Sequence, residues 1–348
     1  MRCFLDHNAT TPLRPEAKAA MIAAMDVVGN PSSVHAEGRA AKAIIERARG
    51  QIAAALGAEG ADIIFTSGAT EAAALALRDQ GISCSGVEHD AVTSWCSVDL
   101  TCDQDGIVSA PSTERSAVQY ANSETGVIQS LPEGVFLSDM TQAFGKLPIA
   151  FNWSGAKMAI VSAHKLGGPK GIGALVVRRG TDIAAQIRGG GQEMGRRSGT
   201  ENLIGIAGFG AAAEAAARDL ANDAWAPVEK LRNILEKTIE QSVNKTIFVG
   251  KDSPRLPNTS MMVVEGWKGE TQVMQMDLSG FAVSAGSACS SGKVKASRVL
   301  QAMGYNDTQA SCALRVSLGF DTTHQDVMRF AETWIAHYEK FQSRSAGR

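Results

Sequence analysis

The sequence predicts an α/β protein in which a large domain is followed by a smaller α/β or α+β one. Three observations carry this. Short apolar, β-branched runs such as Asp62-Ile63-Ile64-Phe65-Thr66 alternate with longer helical patterns. Strand-like runs end in small-residue turns that open helices, as at Ser67-Gly68-Ala69-Thr70-Glu71. The composition shifts at Ala221-Asn222-Asp223-Ala224, after which Trp225 to Val243 starts a fresh amphipathic pattern.

The totals bound the rest. A chain of 348 residues can bury two cores. A net charge of -2 with mixed signs gives no global reason to bind nucleic acid or an anionic membrane, so a small-molecule substrate is the default. The start, Met1-Arg2-Cys3-Phe4-Leu5-Asp6, lacks a basic region before an apolar one, and no apolar run approaches a membrane span; a cytoplasmic protein is expected. Six cysteines (Cys3, Cys84, Cys96, Cys102, Cys289, Cys312) lie scattered without zinc-like spacing, so they read as reduced thiols and no metal site is expected.

Taken in order, Asp6 to Pro12 is a polar turn. Pro15 and Glu16 suit the first turn of a helix reaching Val28. Gly29 to Ser33 breaks it, and Ser32 or Ser33 can cap the next helix, from about His35 to Leu56, which Gly57 ends. After the Asp62 to Thr66 strand, the turn points backbone N–H groups and a positive dipole end outward from the helix Ala72 to Leu77. Gly68, Ala69 and Thr70 can therefore cradle a phosphate, although a capped helix with nothing bound is the commoner outcome for so short a pattern. From Arg78 to Ala121 the pattern is compressed, with crossovers expected as loops. His89 either stacks on a ring or caps the helix starting near Ala91. Val135 to Gln142 is a strand ending in a carboxylate, and Asp139 sits where open α/β sheets place ligands.

Next comes Ser162-Ala163-His164-Lys165-Leu166-Gly167-Gly168-Pro169-Lys170-Gly171-Ile172-Gly173, ahead of the apolar Ala174 to Val177. The glycine spacing is not that of a nucleotide P-loop. Lys165, at an interior edge, is a candidate amine whose desolvation favours a Schiff base with a carbonyl, pyridoxal phosphate above all. A lysine that merely caps a glycine turn is an equal reading of this segment alone. A glycine-rich loop with Arg188, Arg196 and Arg197 follows, suited to an anion or a neighbouring subunit. Beyond the strands Thr246 to Val249, Thr259 to Val264 and Phe281 to Ser284, Cys289 stands in a run of serine, glycine and alanine. There it is either an accessible nucleophile, with Lys293 and Lys295 to hold a thiolate, or an incidental thiol. Arg315, alone at the centre of Leu314 to Leu318, either offers its fork to a substrate carboxylate or forms a buried ion pair.

In order and wording these segments resemble the cysteine desulfurases of the NifS/IscS type. The likeness runs from Leu5-Asp6-His7-Asn8-Ala9-Thr10-Thr11-Pro12 through Asn30 to His35, Thr66 to Glu71, Glu88-His89, Gln142, the lysine stretch and Arg197 to Thr200, to the cysteine loop and Arg315. The resemblance implies an aspartate-aminotransferase-like, fold-type I architecture around pyridoxal phosphate. Its large domain, with a mostly parallel sheet, would span 12–220, and 1–11 would join 221–348 in the small one. It implies that Lys165 binds the cofactor and moves protons, His89 stacks on the ring, Asp139 pairs with its nitrogen and Gln142 meets its phenolic oxygen. Ala69, Thr70, Ser162 and His164 would bind phosphate, with Thr200 reaching the partner's phosphate in a homodimer. Arg315 and Asn8 would hold the carboxylate of L-cysteine. Cys289 would take its sulfur, leaving alanine and a persulfide for scaffold or acceptor proteins that build iron–sulfur clusters or thio-cofactors.

Three departures stand out. Ser123 replaces the family's usual second asparagine at the cofactor ring, 78–135 is short, and Gly168 adds a glycine after Lys165. Three other readings therefore stay open: a lyase for selenocysteine or cysteine sulfinate, an aminotransferase, and a shortened cofactor-binding paralogue serving as a partner in a sulfur-transfer complex.

Overall fold

Period-two burial builds the centre of the molecule. In a computed structural model, which describes residues 2–286 and 296–346, the strands Met158–Ser162 and Gly173–Val177 are buried at every position. Alternate residues feed two cores: Ile63, Phe65, Val161 and Val176 face one, while Ile64, Ile160, Leu175 and Val177 face the other. The seven-stranded sheet has the order Asp62–Thr66, Gly173–Val177, Met158–Ser162, Leu137–Asp139, Ser116–Ala117, Ser83–Ser85, Ser97–Leu100. All its pairings are parallel except those of Gly173–Val177, which runs antiparallel to both neighbours.

Helices Pro15–Met25, Ala36–Leu56 and Leu203–Ala221 pack together over the first core. Their closeness depends on small residues: a Cβ on Gly210 would lie 2.6 Å from the Ala48 Cα. Gly57 ends the second helix in the left-handed region (φ 59), as its sequence position predicts. The start of that helix differs from expectation. His35, not Ser32 or Ser33, caps it, its ring nitrogen accepting from the Gly38 N–H. The first helix stops at Met25, leaving Val28 exposed. The strand expected to reach Gln142 ends at Asp139, because Asp139 Oδ1 accepts the Thr141 N–H at 2.8 Å and turns the chain. In the compressed stretch, Asp90–Thr93 is a single helical turn, and the crossover from Ser97–Leu100 to Ser116–Ala117 carries only the 3-10 turn Thr113–Arg115.

A second sheet, order Ser284–Ala285, Ala313–Ser317, Thr259–Val263, Ile247–Phe248, is antiparallel throughout. Helices Trp225–Ser242 and His324–Ala346 flank it. The chain's start belongs to this layer: Cys3–Phe4 pairs in parallel with Phe281–Ala282, and Leu5 shares a core with Phe281, Val316 and Trp334. Asp6 to Thr11 then crosses between the two sheets. Its Asp6 end bridges Ser317, and its Thr11 end bonds the backbone of His164 and Lys165.

Candidate active site

The carboxyl ends of parallel strands, the Asp6 to Thr11 crossing and the second sheet enclose a cavity of about 570 Å³. Asp139 ends one strand. Ser162 ends the next, and the 3-10 turn Ala163–Lys165 swings Lys165 to the floor. The Lys165 Nζ lies 2.6 Å from Asn8 O and 2.9 Å from Ala9 O, an amine held by backbone carbonyls of the crossing segment.

At one end of the cavity the helix Ala69–Leu77 begins at Gly68, which supplies no side-chain cap, and a Cβ on Gly68 would meet nothing within 4 Å. This is an open helix start with its dipole turned toward the cavity that Ala69 and Thr70 line. His164 sits nearby with Nδ1 3.2 Å from Thr10 Oγ1. Burial, then the Lys165, Lys170 and Lys146 charges, push its pKa down to about 4, so the ring is neutral at pH 7.

His89 caps the turn, as one sequence reading has it, and also lines the cavity. Its Nδ1 accepts the Ala91 N–H at 3.1 Å, which puts the proton of a neutral ring on Nε2. Behind it, Glu88 is buried: Oε1 accepts the Gln119 N–H at 2.6 Å, and Oε2 has no partner among the described residues. Burial, then the neighbouring Asp139 charge, raise its pKa well above the ordinary carboxyl range.

Arg315 forms the buried ion pair of the second alternative and stands at the cavity wall. Its fork donates to Asp6 Oδ1 at 2.7 Å and to Ser123 O at 3.0 Å, while its buried Nε has no partner among the described residues; the side chain also lines the cavity. Asn8 is buried, with Nδ2 donating to Thr259 Oγ1 and Ser123 O. Ser123 thus contributes its carbonyl to the arginine and the asparagine.

The cavity gathers Asn8, Ala69, Thr70, His89, Ser123, Asp139, Gln142, Ser162, His164, Lys165 and Arg315. Thr200 does not join them. It is exposed and lines a separate hollow with Ser67 and Arg197, where Arg197 pairs with Glu71 at 2.8 Å. Cys289 lies outside the described residues. Sequence reasoning missed Lys146, and took Asp6 and Glu88 only as parts of motifs. Nothing local marks an aspartate as the partner of an arginine 309 residues away, but Lys146, four residues after Gln142 in an apolar stretch, was a signal available to be read.

A lysine at the end of a mostly parallel sheet, with an open helix start on one side and a carboxylate on the other, is an arrangement that suits an aminotransferase-type fold. The model of the family "Aminotransferase class-V" matches residues 3–330, and the chain belongs to that family. Within it the chain falls among the cysteine desulfurases. It is 39% identical to a cysteine desulfurase from Cereibacter sphaeroides, over 95% of this chain and 94% of the relative. A solved NifS-like protein from Rickettsia africae superposes with a TM-score of 0.88 at 32% identity, covering 97% of this chain and 100% of that one. A structure described as SspA in complex with cysteine superposes with a TM-score of 0.75 at 28% identity, covering 91% and 99%. The fold-type I architecture expected from the sequence is the one observed. No helix among the described residues is long and apolar enough to cross a membrane.

Proposed function

We propose that this chain is a pyridoxal-phosphate-dependent cysteine desulfurase that converts L-cysteine to L-alanine and carries the sulfur away as a persulfide on Cys289, for acceptors that build iron–sulfur clusters or thio-cofactors. The observation that carries the reading is Lys165 Nζ on the floor of a cavity whose lining also holds Asp139, His89 and Arg315. The group fits. The uncapped start of Ala69–Leu77, with its open space at Gly68, suits a phosphate, and the Asp139 carboxyl at the end of its strand, lining the same cavity, suits a ring N–H.

When bound, pyridoxal phosphate supplies a carbonyl for an amine and a ring that takes up electrons from the substrate. Ala69, Thr70, Ser162 and His164 would bind its phosphate, and Asp139 would hold the proton of its nitrogen. His89, its Nδ1 fixed by the Ala91 N–H, would offer its ring face to the cofactor. Gln142 and Ser123 would serve the phenolic oxygen, the shorter serine leaving Gln142 as the principal donor. Arg315, oriented by Asp6 and Ser123 O and with Asn8 beside it, fixes the substrate carboxylate. Lys165 Nζ takes the proton from the substrate Cα and returns one when alanine forms. The Cys289 thiolate attacks the substrate sulfur: the S–S bond forms, the Cβ–S bond breaks, and its electron pair stays with the carbon skeleton.

Residues 12–220 form the large domain and 1–11 with 221–348 the small one, a division supported by Leu5 in the core with Trp334. Exposed Thr200, tied through Arg197 to the start of the cofactor helix, suits a homodimer in which it reaches the partner's phosphate. The test is alanine and sulfide release from L-cysteine with reductant, alongside Cys289→Ala and Lys165→Ala. Equal amounts of both products, lost in each variant, are expected. Turnover that survives in Cys289→Ala overturns the persulfide route in favour of a lyase, and bound cofactor without turnover on any candidate acceptor overturns the enzyme reading.

A further inference from the structure

Lys146 is a buried lysine that the proposed reaction leaves unused. It follows Asp139 in a turn where Phe144 N bonds Met140 O and Leu147 N bonds Ala143 O, so residues four apart come together. Its Nζ lies 2.8 Å from Gln142 Oε1, 3.1 Å from Gln142 O and 3.4 Å from Asn8 Oδ1. Gln142 Nε2 donates to Asn8 O at 3.0 Å, the same oxygen that receives Lys165 Nζ at 2.6 Å. Lys146 lines a second cavity of about 390 Å³, with Lys165, Arg14 and Phe320, and does not line the one that His89 and Asp139 share.

An amide can turn either its oxygen or its nitrogen to a site. Three carbonyl oxygens surround the Lys146 amine, so it acts as a donor, and Oε1 of Gln142 has to face it. The other end, Nε2, is then the only one offered beside the Lys165 amine.

We propose that Lys146 is a positioning residue: by holding Gln142 Oε1 it presets Nε2 as the donor to the cofactor's phenolic oxygen. This rests on the role of Gln142 in the proposed function. The charged and titratable groups around Lys146 among the described residues are His7 from the crossing segment, Lys165 and His164 from the lysine turn, Arg315 from the second sheet, and Arg14, Glu16, Asp219 and Asp321 around the second cavity. Burial, then Lys165 and Arg315, push the Lys146 ammonium far below its ordinary value.

The experiment is a double-mutant cycle on the holoenzyme with Lys146→Met, Gln142→Leu and both together. It reads the apparent pKa of the pH-dependent visible absorption band, with kcat and KM for L-cysteine alongside. Losing a donor at the phenolic oxygen makes the nitrogen joined to the cofactor more basic. Lys146→Met is therefore expected to raise the band's pKa by about one unit, with kcat falling and KM steady. In the Gln142→Leu background it is expected to move it by less than about 0.3 unit. Lys146→Gln keeps an N–H donor without charge and is expected to retain the wild-type value, which also serves if the Met variant does not fold. An equal shift in both backgrounds, a Gln variant as shifted as Met, or no shift at all overturns the inference. A wild type with added cofactor that shows no band fails the functional reading beneath it instead.

Discussion

His7 offers a measurement in which packing costs cancel. Its ring is 6% exposed, its centroid 5.1 Å from that of Phe4, and it lies so close to Gly319 that a Cβ there would fall 2.0 Å from its Cε1. Burial, reinforced by the Lys146 charge, pushes its pKa from 6.5 to about 4. A folded value below the unfolded one means that the associated stability is present above pH 6.5 and is lost as pH falls through 4, because the unfolded chain takes up a proton that the folded one refuses. By pH 4.5 the loss is roughly 2.5 kcal/mol. His7→Asn removes this titration along with some packing. Its cost relative to wild type is therefore expected to be smaller at pH 4.5 than at pH 7 by about 2.5 kcal/mol, with the packing part dropping out of the difference. Urea unfolding of both proteins at the two pH values, at matched cofactor content, gives the number. A cost that is the same at both would refute the argument that a neutral, buried His7 contributes to acid sensitivity.

The buried Arg315–Asp6 pair, at 2.7 Å with side chains 6% and 16% exposed, makes Asp6→Ala expensive. Removing the carboxylate strands a guanidinium and is expected to cost about 3–5 kcal/mol, and a urea midpoint unchanged from wild type contradicts this. Gly68→Ser places a hydroxyl where the start of Ala69–Leu77 lacks a cap. It should stabilise the cofactor-free protein by a few tenths of a kcal/mol while weakening cofactor binding roughly tenfold; titration of the apoprotein with pyridoxal phosphate decides, and undiminished affinity argues against a phosphate there. Gly210→Val forces apart two helices that a Cβ would bring to 2.6 Å from Ala48 Cα. Overpacking of about 1–3 kcal/mol is expected, and thermal unfolding reads it.

The sequence by itself determined what depends on neighbours along the chain. The strand Asp62–Thr66 was legible from its β-branched run, the end of Ala36–Leu56 from Gly57, and the helix start at Ala69 from its small-residue turn. The order of the motifs was enough to point to the family. Terminal details failed where a side chain intervened, as when Asp139 Oδ1 bonded Thr141 N and ended a strand early, or His35 took the capping role from the serines.

Only the tertiary structure decided the electrostatics of the site. Asp6 meets Arg315 across 309 residues, and Gln142 Nε2 reaches Asn8 O across 134. The Glu88 carboxyl is pushed above its ordinary range because the fold buries it beside Asp139, and Lys146 is a donor because carbonyls from two segments surround it. Hydrogen-bond geometry and desolvation depend on which atoms fill the few ångströms around a group. In this chain those atoms come from the crossing segment Asp6 to Thr11 and the second sheet, distant in sequence from the residues they tune.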